Sequence, residues 1–128
     1  MRILATLSAA VLVLALSPAF AAEMGPAKTE TTSLGTVLAN DKGMTLYTFK
    51  HDAKDKSSCL GKCATNWPPF MASADAKPSG EWSIVTRPDH ARQWAYKDKP
   101  LYTWSKDEKP GDTKGNGFLK GAWEAARP

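Results

Sequence analysis

From about residue 34 onward, apolar positions occur in short runs broken by turn residues, and no stretch holds a helical period for long. That pattern predicts short strands rather than helices. Val37-Leu38-Ala39 is one apolar run, and Asn40-Asp41-Lys42-Gly43 is the turn that follows it, with Gly43 suited to a positive φ. Residues 44–49 read as a strand, with Met44, Leu46 and Thr48 on one face and Thr45, Tyr47 and Phe49 on the other. Residues 81–86, 92–96 and 101–104 read as three further strands, separated by turns at Arg87-Pro88-Asp89-His90 and Lys97-Asp98-Lys99-Pro100. Trp67-Pro68-Pro69-Phe70 is an extended connector, because proline cannot donate to a ladder. A short helical turn is expected over residues 122–126, and residues 22–33, polar and rich in Thr and Lys, read as a flexible leader.

The chain also repeats itself. Leu46-Tyr47-Thr48-Phe49-Lys50-His51-Asp52 returns as Leu101-Tyr102-Thr103-Trp104-Ser105-Lys106-Asp107, and Trp67 is answered by Trp123 at nearly the same offset. Recurrence on that scale means one unit built twice. The expected fold is therefore mainly β: a small single domain of two pseudo-repeated β-hairpin or meander units with irregular loops, the halves spanning about 34–80 and 81–128. The first unit follows its Asp with a cysteine-closed loop. The second follows its Asp with the glycine-rich stretch 111–117.

Composition adds a destination. Arg2, the apolar run 3–16 and Ala19-x-Ala21 have the order of a signal peptide cleaved near Ala21. The mature chain of 107 residues (128 less 21) carries 16 basic and 13 acidic groups once Arg2 is gone, a net +3. This predicts a periplasmic or secreted protein with no transmembrane segment in its mature part. The charges are scattered and no basic cluster is interleaved with aromatics, which argues against nucleic acid as a partner. An envelope protein or a small ligand is the expected partner.

Few residues suggest chemistry. Cys59 and Cys63 should pair in an oxidising compartment, closing a short loop. Their spacing is not that of thioredoxin-type or haem-attachment sites. Cys59, Cys63 and His51, or a methionine such as Met44 or Met71, would make a soft-metal set, so a copper-binding or thiol-redox accessory protein is the alternative reading. Asp52 and Asp107 fall just past the ends of their strands, where a carboxylate accepts backbone N–H bonds and pins the following loop. The hydroxyls of Tyr47 and Tyr102 are expected to be satisfied by the loops or by the opposite Asp. As a paired-carboxylate hydrolase site, the two Asp residues have no supporting motif. No Ser-His-Asp grouping or phosphate loop is present, and a non-enzymatic protein is expected, with no cofactor.

Together these motifs resemble a known family. Leu46 to Asp52 with Phe49 inside it, Cys59-x-Gly61-x-Cys63-Ala64 and Trp67-Pro68-Pro69 match its first half. Gln93-Trp94-x-Tyr96, Pro100-Leu101-Tyr102-x-Trp104 to Asp107, Gly111-Asp112 and Trp123 match its second. The family comprises bacterial secreted repeat proteins of unknown function, predicted lipoproteins with a Tyr-x-aromatic-x-x-Asp motif. The resemblance implies placement in the cell envelope rather than a mechanism. Two departures stand out: no lipidation cysteine follows the apolar run, and Asp98 stands where the second hairpin usually turns on Gly.

Overall fold

The computed structural model describes residues 23–128; the expected signal peptide lies outside them. The strands are β1 (Glu23–Met24), β2 (Ala27–Thr32), β3 (Gly35–Ala39), β4 (Tyr47–Phe49), β5 (Trp82–Thr86), β6 (Arg92–Tyr96), β7 (Lys99–Pro100) and β8 (Trp123–Ala125). Two short helices interrupt them, α1 (Lys62–Asn66) and α2 (Phe118–Gly121). The mainly-β character predicted from the short apolar runs is what the structure has. All strand pairings are antiparallel, in three small sheets ordered β1-β2-β3, β4-β8 and β5-β6-β7.

The repeat becomes a pseudo-two-fold arrangement. Tyr47 and Tyr102 sit opposite each other at its centre, joined by a reciprocal backbone pair of 2.7 and 3.0 Å. On either side, bonds recur in matched sets. The Leu46 N–H donates to the Leu38 carbonyl and the Leu101 N–H to the Trp94 carbonyl; the Lys50 N–H donates to Ala122 and the Ser105 N–H to Asn66. Each motif strand pairs with the Trp-bearing segment of the other half. β4 lies against β8 with Phe49 opposite Trp123, while Tyr102 bridges Pro69 and the Thr103 N–H donates to the Pro68 carbonyl. The prolines fit because they only accept here.

Alternation along the motif strands divides the interior. Leu46 and Leu101 point into one core with Leu38, Trp82, Tyr96 and Ala126. Tyr47 and Tyr102 point into the other with Val37, Trp67, Trp104 and Trp123. All four of these motif Leu and Tyr residues are fully buried.

Three expectations are corrected. Residues 22–33 are not a flexible leader throughout: β2 pairs along its whole length with β3, Thr32 opposite Gly35 through Lys28 opposite Ala39. Of residues 25–33 only Ala27 is buried, which suits polar side chains at the other positions, and the threonines favour an extended backbone. The helical turn falls earlier than residues 122–126. Residues 123–125 form β8, whose buried-exposed-buried alternation is that of a strand, and α2 ends at Gly121. The last strand of the meander falls earlier than 101–104: it is β7, at two residues read as turn, and Tyr102 instead bridges Tyr47 and Pro69.

Candidate functional site

The motif residues converge on the buried centre. The Tyr47 hydroxyl donates to Asp107 Oδ2 at 2.6 Å, and the Tyr102 hydroxyl donates to Asp52 Oδ2 at 2.6 Å. Each tyrosine is thus closed by the aspartate of the other half. The remaining oxygen of each aspartate holds its own loop. Asp52 Oδ1 accepts from the Ser58 N–H (2.8 Å) and hydroxyl (2.9 Å), and Asp107 Oδ1 accepts from the Lys114 N–H (3.0 Å). Burial, reinforced by the bond to its carboxylate, raises both phenols well above their ordinary pKa. Burial also raises Asp107, against the lowering effect of the Tyr47 and Lys114 bonds.

The motif aromatics form a column. Phe49 stacks on Trp123 (centroids 4.2 Å apart), Trp123 on Trp67 (3.8 Å, planes 1° apart) and Trp67 on Trp104 (3.9 Å). Tyr47 meets Trp67 edge-on at 5.4 Å and Tyr102 meets Trp123 edge-on at 5.1 Å. Pairs of this kind add about 0.5–1.5 kcal/mol each beyond area burial. Gly115 makes room for the column: a Cβ there would stand 2.7 Å from Trp67 and 3.0 Å from Tyr47. Its N–H donates to the Tyr47 hydroxyl at 3.2 Å.

Arg87 opens the expected turn, its carbonyl accepting from the His90 N–H at 2.9 Å, but its side chain points inward, which no sequence signal indicates. It is 4 % exposed and makes no ion pair among the described residues. Its guanidinium donates to the Ser57 hydroxyl (2.8 Å), Gln93 Oε1 (2.7 Å) and the Cys59 carbonyl (2.7 Å). Ser57 shares a 2.6 Å hydrogen bond with the Tyr102 hydroxyl. A chain of hydrogen bonds thus runs from the buried cation through Ser57 and Tyr102 to Asp52. No local signal reveals this, since an Arg before Pro reads as surface turn; only the buried Gln93 hints at a polar interior.

Cys59 and Cys63 are joined in a disulfide that ties the preceding loop to the first turn of α1, with Cys59 fully buried. His51 lies on the surface, edge-on to Phe49 at 5.0 Å. With both sulfurs bonded to each other, the copper set of Cys59, Cys63 and His51 is not assembled. Among the described residues no three His, Cys, Asp or Glu side chains gather where they could hold a metal ion. Asp52 and Asp107 are each committed to a tyrosine and a loop, and they do not form a shared carboxylate cleft.

The concave surface lies elsewhere, beside the β4–β8 ribbon. A cleft of about 380 Å³ is lined by Lys50, Lys54, Lys97, Lys99, Asp98 and Glu124 among others. A second of about 260 Å³ shares Lys97, Lys99 and Glu124 with it and adds Arg127. Lys50 pairs with Glu124 at 3.3 Å and Lys54 with Asp98 at 3.8 Å. The Lys97-Asp98 turn joining β6 to β7 has φ of 48° and 68°. A two-residue turn with both φ positive is ordinarily built from Asn-Gly or Asp-Gly. Here a Lys and an Asp occupy it, held by the Lys97 N–H to the Glu81 carbonyl (2.9 Å) and by the Asp98 carbonyl, which accepts from the Asp55 N–H (3.0 Å).

A buried, symmetric core of repeated motifs and a separate surface groove define a class: exported two-repeat β proteins whose signature residues build the fold. The chain matches the model of the lipoprotein-type family described as a secreted repeat of unknown function over residues 28–71 and 83–127, and it belongs to that family. It is accordingly a periplasmic or secreted protein, and among the described residues no helix is long and apolar enough to cross a membrane. No curated protein and no solved structure matches the chain.

Proposed function

We propose that the protein is a non-enzymatic envelope module that binds a small anionic ligand in the lysine-lined groove beside β4 and β8. The observation that carries this reading is the groove itself. It has the size of a small-molecule site and offers several ammonium groups around a partly apolar floor that includes Phe49 and Pro100. Four lysines face three carboxylates there (Asp52, Asp98 and Glu124), and Asp52 is already bonded to Tyr102 and Ser58. Lys99 has no ion-pair partner among the described residues. The left-handed Lys97-Asp98 turn supports the reading further, because residues held in costly backbone conformations cluster at ligand sites. Of the motif residues, Tyr47, Tyr102, Trp104 and Asp107 are turned inward, while Phe49 and Asp52 also line the groove.

The test is a heteronuclear NMR titration of the mature protein with citrate and with inorganic phosphate. Saturable shifts confined to Thr48, residues 97–99 and Glu124, and their loss in a Lys97→Glu/Lys99→Glu variant, support the groove. Shifts spread evenly over all lysines refute it.

A further inference from the structure

We propose that the indole stack and its two tyrosine–aspartate pairs form a one-electron relay, carrying oxidation from Trp104 at the outer end of the stack to Tyr47 and Tyr102. This goes beyond the binding reading, and of the groove residues only Asp52 takes part in it.

Three observations converge. First, Trp104, Trp67 and Trp123 lie in consecutive stacking contact, 3.9 and then 3.8 Å between centroids, and their exposure falls inward from 8 % to 3 % to 0 %. An electron vacancy created at Trp104 therefore has a continuous π path into the interior. Phe49 and Phe118, which flank the stack, are too hard to oxidise to take part. Second, a tyrosine stands edge-on to each inner indole: Tyr47 to Trp67 and Tyr102 to Trp123. Third, each phenol already points its proton at a carboxylate oxygen 2.6 Å away. An oxidised phenol is a very strong acid, so a buried tyrosine yields an electron easily only when a base stands ready for its proton. Each carboxylate pins its loop with Oδ1 and leaves Oδ2 to take the phenolic proton. A backbone carbonyl would satisfy a buried hydroxyl, whereas a carboxylate at the edge of the core costs desolvation.

A one-electron oxidant of the radical class takes an electron from the Trp104 indole and is reduced by one. An electron from Trp67 refills Trp104, leaving the vacancy on Trp67. Tyr47 then gives an electron to Trp67 while its hydroxyl proton passes to Asp107 Oδ2. The products are a neutral phenoxyl radical and a neutral carboxylic acid. Through Trp123, Tyr102 does the same with Asp52. Return of one electron from a reductant sends the proton back along the same bond. Both phenols hold their protons firmly in the resting state, so the proton moves only with the electron.

The experiment is pulse radiolysis with the azide radical, which oxidises indoles, on the full mature chain carrying Trp94→Phe and Tyr96→Phe. These changes remove a partly exposed indole outside the stack and the third of the three tyrosines. The expected result is first-order conversion of indolyl to tyrosyl radical at a rate independent of protein concentration and slower in deuterium oxide. Adding Asp52→Asn and Asp107→Asn should slow it by about a hundredfold, the scale of a positioned proton acceptor. Adding Tyr47→Phe and Tyr102→Phe instead should leave the radical on tryptophan. Absence of a tyrosyl signal, an unchanged rate in the Asn variant, or growth that scales with protein concentration overturns the relay. If the Asn variant fails to fold, the isotope effect in the parent decides: none means no coupled proton transfer and no relay.

Discussion

Tyr47 and Asp107, 60 residues apart, are joined by a 2.6 Å buried hydrogen bond, and the mirror bond joins Tyr102 to Asp52. The motif is therefore one signature whose two ends are satisfied in opposite halves. Deleting one hydroxyl leaves the partner carboxylate at the edge of the core without its donor. Tyr47→Phe should cost about 1.5–3 kcal/mol, the range for hydrogen bonds to charged groups. A Tyr47→Phe/Asp107→Ala cycle in urea should give a coupling of about 0.5–3 kcal/mol. Additive single effects would mean that the bond contributes nothing.

The same bonds set the alkaline limit. Both phenols have folded pKa values raised above the ordinary 10.0, by burial first and the carboxylate bond second. Above pH 10 the unfolded chain releases these protons while the folded chain keeps them, so folding stability is full below pH 10 and declines above it. Two such groups give a slope of about 2.7 kcal/mol per pH unit. Urea midpoints taken across this range should fall steeply in the parent and about half as steeply in Tyr47→Phe.

Gly115 offers a purely steric probe. Its backbone φ is not in the left-handed region, so alanine meets only the ring atoms 2.7–3.0 Å from its Cβ. Overpacking of this kind costs about 1–3 kcal/mol. Because Trp67 must shift, the tryptophan near-UV circular dichroism should change along with the melting temperature. A stability loss with an unaltered spectrum would mean that the column does not feel the substitution.

Cys59 is fully buried and its carbonyl is held by Arg87, so its bond to Cys63 is expected to be structural. Its reduction potential should lie below about −300 mV. Cys59→Ser/Cys63→Ser should lose about 2 kcal/mol, as befits a short closed loop. A potential near about −200 mV would mark a labile pair instead.

Much of this architecture was legible in the chain, for reasons that differ by element. The hairpin strands at 82–86 and 92–96 were readable because apolar alternation and turn residues agree locally. The recurrence of Leu-Tyr-Thr-aromatic with a distant Trp marked two equivalent units. What stayed hidden is non-local. Nothing in the periodicity of residues 101–104 tells them to leave the meander and pair with residues 68 and 69. Strand β2 reads as a leader because its single buried side chain gives no alternation, although it pairs with β3 along its whole length. Arg87 looked like a turn residue because its partners, Ser57, Gln93 and the Cys59 carbonyl, are gathered from separate stretches of chain. The groove has no signal in the sequence because it forms only where β4, β8 and the β6–β7 turn meet.

The exchange of strands also governs how the molecule assembles. Each half gives its Trp segment to the other, so a half released on its own would carry an unfilled slot and a matching protruding strand. Two such fragments would close on one another only at sufficient concentration. The short stretch from residue 73 to 81 tethers them, raising the effective concentration of one half around the other and turning a dimerisation into an intramolecular event. The fold of the intact chain therefore does not depend on its concentration, as it would for two separate halves.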